Sequence, residues 1–169
     1  MNKIYKLLIV CLLLLAGGKV LKAQEIIASG YCGAEGTDGD NLAWTIDSEY
    51  TLTITGSGAM ADYGLTIDMQ TFVIVSTAPW SSYSLLLTSL VLETGITSIG
   101  DYAFYGCKFS GSLTIPDSVE IIGTSAFYLC GRLSGPLVIP KSVTTIENNA
   151  FGFCEGFTGD LIIPNNVTT

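Results

Sequence analysis

From Leu90 onward the apolar residues of this chain fall at fixed places in a unit of 23–24 residues. Leu90, Leu113, Leu137 and Leu161 open successive copies, and Leu92, Ile115, Ile139 and Ile163 follow two places later. Next come Ile96, Val119, Val143 and Val167, then Ile99, Ile122 and Ile146, then the pairs Ala103-Phe104, Ala126-Phe127 and Ala150-Phe151. Cys107, Cys130 and Cys154, followed by Phe109, Leu133 and Phe157, complete the apolar set. A small residue and a glycine (Ser110-Gly111, Ser134-Gly135, Thr158-Gly159) lead into the next copy. Leu-x-Ile is a period of two, so its two large side chains share one face of a short strand. Pro116, Pro140 and Pro164 come directly after it, with Glu93 in the first copy. A proline ends a strand because it offers no N–H to the ladder. The pattern predicts a coil that turns at the proline, returns its other apolar residues to one interior and turns again at the glycine. The next copy then stacks on it at about 4.8 Å. Residues 90–169 hold three such copies and the first third of a fourth. A coil on its own orders its whole length around a few apolar side chains and does not repay that entropy, so the copies need each other and need covered ends.

Residues 24–89 alternate differently. In Leu42–Ile46 the residues Leu42, Trp44 and Ile46 share a face, and in Tyr50–Ile54 so do Tyr50, Leu52 and Ile54. Asp47-Ser48-Glu49 joins the two runs, and Thr45, Thr51, Thr53 and Thr55 fall on the opposite face. This is a β-hairpin by pattern. A further strand is predicted over Thr71–Thr77, and Pro79 is suited to open a helical turn. The segment is expected to close the first coil, whose free face would otherwise expose strand edge and apolar interior. Trp44, Trp80, Tyr50, Tyr63 and Met60 are the candidate covering residues.

The start of the chain carries a different signal. Lys3 and Lys6 precede an apolar run of ten residues, Leu7–Ala16, which is too short for a bilayer core of about 30 Å. Residues 1–23 read as a secretory signal cut after Ala23. Cys11 lies inside the apolar run after Val10, which argues against lipid attachment. Removing residues 1–23 leaves three basic residues (Lys108, Arg132, Lys141) against fifteen acidic ones, a net charge of −12. Such a chain repels phosphate backbones and anionic lipid, so nucleic-acid partners are excluded, and the charge serves solubility.

No histidine is present, which removes the commonest general base and transition-metal ligand and the usual catalytic triads. Four cysteines follow the signal: Cys32, Cys107, Cys130 and Cys154. Secretion allows bridges between them. The last three share one repeat position, however, and their parallel side chains face the interior rather than each other, which favours a buried thiol ladder. Reactive thiols need exposed, electropositive settings, and close cysteine pairs suited to zinc are missing. Thr37–Asn41 (TDGDN) lacks the full spacing of a calcium loop and reads as a surface turn. No catalytic, cofactor or metal residue is therefore assigned.

At the residues Leu113 to Cys130 (LTIPDSVEIIGTSAFYLC) the chain resembles a BspA-type leucine-rich-repeat protein, and the leader from Cys32 to Trp80 is similar to the region that precedes those repeats. It departs from the pattern in a long Leu65–Thr77 insertion and in Glu147-Asn148, which stands where the repeat continues Ile-Gly. The resemblance implies a mainly β leucine-rich-repeat solenoid with short parallel strands over 90–169, preceded by a small β-rich N-terminal cap over 24–89. It also implies a secreted or cell-surface bacterial protein, not an enzyme, that binds an extracellular protein or a host or bacterial surface ligand, as adhesins of the family do. Outward-pointing Val91, Thr114, Val138 and Ile162, the middle residues of the Leu-x-Ile strands, are the candidate interaction face; plain strand propensity is the competing explanation. Two further readings stand beside this one: a glycan-binding module with Trp44 and Trp80 as stacking platforms, and a truncated remnant without its own ligand.

Overall fold

The computed structural model describes residues 24–36 and 39–168. The predicted signal over 1–23, with its cleavage after Ala23, lies outside these residues, as do Thr37 and Asp38 of the candidate calcium turn. The fold is mainly β, with one 3₁₀ turn at Ser81–Tyr83 and no other helix among the described residues. The strands are β1 (Ile26–Tyr31), β2 (Leu42–Asp47), β3 (Thr51–Gly56), β4 (Gly58–Ala59), β5 (Leu65–Ile67), β6 (Ile74–Ser76), β7 (Ser89–Leu92), β8 (Ile96–Ile99), β9 (Ile121–Ile122) and β10 (Thr145–Ile146).

The expected hairpin forms. β2 and β3 pair antiparallel with Trp44 opposite Ile54 and Ile46 opposite Leu52, and all four side chains are buried. Its connection is tied by the Asp47 carboxylate, which accepts the N–H groups of Glu49 and Thr51 at 2.9 Å each. β1 adds antiparallel to β2 from outside; its alternation was too weak to predict, because only every second residue is half covered. On the other side β3 pairs parallel with β7, giving the order β1-β2-β3-β7. A second sheet runs β4-β8-β9-β10, all parallel. Region 24–59 therefore places one strand against each strand of the first repeat copy.

The repeat ladder differs from expectation in one respect. The Leu-x-Ile segment is a paired strand only in the first copy, as β7; the later copies keep one isolated parallel bridge, Val138 to Ile162. The continuous parallel ladder lies instead at the second apolar segment, Ile96–Ile99, Ile121–Ile122 and Thr145–Ile146. The reason is the proline. In the first copy Glu93 N–H donates to Ile54 C=O at 3.0 Å; Pro116, Pro140 and Pro164 have no N–H to give at that place.

Successive copies are joined by backbone bonds of both polarities. At one edge Glu120 N–H donates to Thr97 C=O, Thr144 to Glu120 and Thr168 to Thr144, each at 2.8 Å. At the Ala-Phe turn the direction reverses: Phe104 N–H donates to Ala126 C=O at 2.8 Å and Phe127 to Ala150 at 2.7 Å. Between them stands a column of rings. Phe104 and Phe127 stack at 5.1 Å, and Phe127 and Phe151 at 5.3 Å with planes 2° apart. Trp80 extends it, stacked on Phe104 at 5.6 Å. The other repeat positions, among them Leu113, Ile115, Val119, Ile122 and Leu133, close one continuous core around the column.

Candidate interaction surface

The four candidate residues all point outward. Val91 is 43% exposed, Val138 64% and Ile162 75%, and Thr114 is exposed as well. The flanking residues Leu92, Leu113, Ile115, Leu137 and Ile139 are buried and Leu90 is half-buried, so the period-2 alternation stands around Val91, Thr114 and Val138 even where the segment is not a paired strand; it fails in the last copy, where Leu161 and Ile163 are exposed along with Ile162. The four do not form one unbroken row. Val138 and Ile162 adjoin through their bridge and line an open cleft of about 520 Å³ with Lys141, Asp160, Asn165 and Asn166. The Asn166 side-chain amide is held by the Lys141 and Val143 carbonyls at 2.8 and 3.0 Å. The cleft is thus apolar on its floor, with one cation, one anion and two amides around it. Val91 belongs to a different neighbourhood. It pairs with Thr53, which pairs with Thr45, which pairs with Ser29. This threonine row was visible in the sequence as the hairpin's outer face, but its continuity with Val91 depended on the β3–β7 pairing.

A second outward feature was missed. Tyr105 and Tyr128 stack at 5.3 Å with planes 9° apart, and Tyr128 meets the edge of Phe153 at 5.2 Å. These residues follow the stacked phenylalanines of their copies, so a signal existed in Phe104-Tyr105, Phe127-Tyr128 and Phe151-Gly152-Phe153. It was hidden by the Gly152 offset: Tyr128 lies over the place where a Cβ on Gly152 would sit.

The tryptophans correct the glycan reading. Trp80 is fully buried and Trp44 is 7% exposed. Trp80 donates its indole N–H to Ala103 C=O at 2.8 Å and packs between Trp44, Tyr63 and Phe104. Neither ring offers a face to a sugar, because both are needed where the β2–β3 sheet meets the first repeat copy.

Cys32, Cys107, Cys130 and Cys154 are free thiols, the first three buried. Burial pushes the Cys107 thiol up to about 12 and raises that of Cys130 well above its ordinary value. The Cys130 and Cys154 sulfurs lie 3.0 Å from the carbonyls of Phe104 and Phe127, one copy back. They are spacers of the stack, held protonated. Among the described residues no group of three or more His, Cys, Asp or Glu is close enough to hold a metal ion, and no helix is long and apolar enough to cross a membrane.

The family described as "BspA type Leucine rich repeat region (6 copies)" matches residues 81–169, more than half of the chain. Among solved structures, a leucine-rich repeat protein from Eubacterium ventriosum ATCC 27560 is similar in fold, with a TM-score of 0.52 and 22% identity. The match covers 75% of this chain and 36% of that one, so this chain spans about a third of the neighbour's length. No curated protein matches.

Proposed function

The chain belongs to the BspA-type leucine-rich-repeat family, and from that premise we propose that it is a secreted or cell-surface, non-enzymatic solenoid that binds a macromolecular partner, with 24–89 as the cap of the repeats over 90–169. The partner is an extracellular protein, on a host or bacterial surface. The observation that carries the reading is the outward display of Val91, Thr114, Val138 and Ile162, with Val138 and Ile162 meeting in an open, largely apolar cleft. Exposed apolar surface of this kind marks contact sites. A backbone tied copy to copy enters a complex with little left to order, which keeps the entropic cost of binding low. The basic start and apolar run of residues 1–23 support export.

The test is capture of a panel of extracellular-matrix proteins on the immobilised chain. Val138→Lys and Ile162→Lys are expected to weaken capture of the protein that binds while leaving the melting temperature unchanged. Undiminished capture with a lowered melting temperature would assign the row to strand propensity alone.

A further inference from the structure

The long insertion in the leader folds as a hairpin that the repeat stack does not use. β5 and β6 pair Leu65 with Ser76, Thr66 with Val75 and Ile67 with Ile74, and they form a sheet of only two strands. Two strands are marginal in water; a third strand or a packed face holds such a unit. Here Leu65, Ile67, Met69, Phe72, Val73 and Ile74 are exposed by 42, 55, 76, 78, 55 and 52%. Six large apolar side chains exposed on one small unit are more than scattered surface hydrophobics and mark a contact site.

The open edge is β5. All three of its residues are exposed, whereas β6 runs from exposed Ile74 to buried Ser76. The bonding pattern says what that edge offers. Thr77 N–H donates to Gly64 C=O and Asp68 N–H to Val73 C=O, each at 2.9 Å. Antiparallel ladders alternate, so Gly64, Thr66 and Asp68 turn their backbone groups toward β6. Leu65 and Ile67 turn theirs outward. Those two N–H and two C=O groups flank Thr66 symmetrically, and the set is complementary to itself. A twofold axis at Thr66 sets Leu65 of one chain opposite Ile67 of the other, with both bonds exchanged at each pair.

Charge selects the same occupant. No charged residue stands between Asp68 and Glu93. The Asp68 carboxylate itself is engaged by the N–H groups of Gln70 and Thr71. The protein as a whole is strongly acidic, so contact between two copies is least opposed where charge is sparse, as on this hairpin, whose one charged group is Asp68 just past the end of β5. Exposed edges are ordinarily blunted with lysine or proline, and Gly64–Thr77 contains neither.

We propose that the chain self-associates through this hairpin, β5 pairing antiparallel with β5 of a second copy to make a four-stranded sheet β6-β5-β5-β6. Sedimentation equilibrium of the purified protein across a concentration series is expected to give the mass of a dimer. Ile67→Lys places a charge at the seam, and Leu65→Pro removes an N–H that the hairpin's own ladder does not use. Each is expected to weaken self-association by about tenfold or more while the melting of dilute protein stays unchanged. Thr66→Cys is expected to cross-link two copies under oxidised glutathione, since residues facing each other at such a non-bonded pair have Cα atoms about 4.5 Å apart. Leu86→Cys, exposed outside the hairpin, is not. A wild-type monomer at every concentration, a dimer indifferent to both substitutions, or cross-linking at Leu86 equal to that at Thr66 would overturn the proposal. If Leu65→Pro melts the hairpin, Ile67→Lys and Thr66→Cys decide it.

Discussion

Trp80 stacks on Phe104 with centroids 5.6 Å apart, one period of 24 residues ahead of it. The tryptophan therefore occupies the place that a phenylalanine from a preceding copy would fill. It also does what phenylalanine cannot, donating its indole N–H to the Ala103 carbonyl. Trp44, at 6.0 Å from Trp80, is buried too, yet its indole N–H has no partner. The two positions are thus expected to answer differently to one substitution. Trp80→Phe loses a bond and strands a carbonyl, at a cost of about 2–3 kcal/mol including lost ring volume. Trp44→Phe relieves an unsatisfied donor and is expected to cost less, at most about 1 kcal/mol. Urea unfolding of the two variants checks the order.

The ring column makes a second comparison. Phe127 is packed between Phe104 and Phe151 and fully buried; Phe151 is only half covered, with Phe157 at its edge. Phe127→Ala is expected to lose about 3–5 kcal/mol, and Phe151→Ala clearly less, because less surface leaves contact and the site can collapse. Equal losses in thermal or urea melts would show that the column does not bear on stability as a stack.

How much of this was legible beforehand follows from period and length. Phe104, Phe127 and Phe151 share a repeat position, so their stacking needed only the alignment of copies. The outward display of Val91, Thr114 and Val138 needed only the two-residue alternation around each, whereas Ile162 is exposed together with both its neighbours, Leu161 and Ile163. The transfer of the parallel ladder from Leu113–Ile115 to Ile121–Ile122 was not legible, because both segments are apolar and the deciding fact is a missing N–H on Pro116 relative to a neighbour's carbonyl. The hairpin of β5 was hidden for another reason. Leu65-Thr66-Ile67 is three residues long, and nothing in its sequence distinguishes an exposed strand from a buried one. The Tyr105–Tyr128 stack was obscured by the glycine that makes room for it.

The thiols give a prediction in pH. Burial lifts Cys107 from its ordinary 9.0 to about 12, with Lys108 opposing weakly. In the unfolded chain the thiol ionises near its ordinary value, while the folded chain holds the proton. The contribution to stability is therefore complete below pH 9 and is lost progressively between 9 and 12, at about 1.4 kcal/mol per pH unit for this one group. Urea unfolding under reducing conditions is expected to show stability level from pH 7 to 8 and falling above 9. Cys107→Ala is expected to shift the curve down and make its alkaline slope shallower. An unchanged slope would mean that other groups carry the alkaline loss.

The last prediction concerns a backbone position that recurs in every copy. Gly106, Leu129 and Phe153 precede Cys107, Cys130 and Cys154, and all three have positive φ, 71°, 62° and 57°. The turn imposes this geometry whatever residue is present: Gly106 N–H reaches Tyr128 C=O and Leu129 N–H reaches Gly152 C=O, one copy on. For a residue with a Cβ the left-handed region costs about 1–2 kcal/mol. A Cβ at Gly106 would meet nothing within 4 Å, so Gly106→Ala isolates the backbone cost from any clash and is expected to destabilise by about 1 kcal/mol. The reverse change is the sharper test. Leu129 is 39% exposed, so Leu129→Gly releases about 1–2 kcal/mol of strain against about 1–2 kcal/mol of lost burial and glycine's greater unfolded-state entropy, and the melting temperature is expected to change little. If the melting temperature falls instead, the partial burial of the Leu129 side chain outweighs the strain of its backbone, and its presence in place of glycine is explained by packing alone.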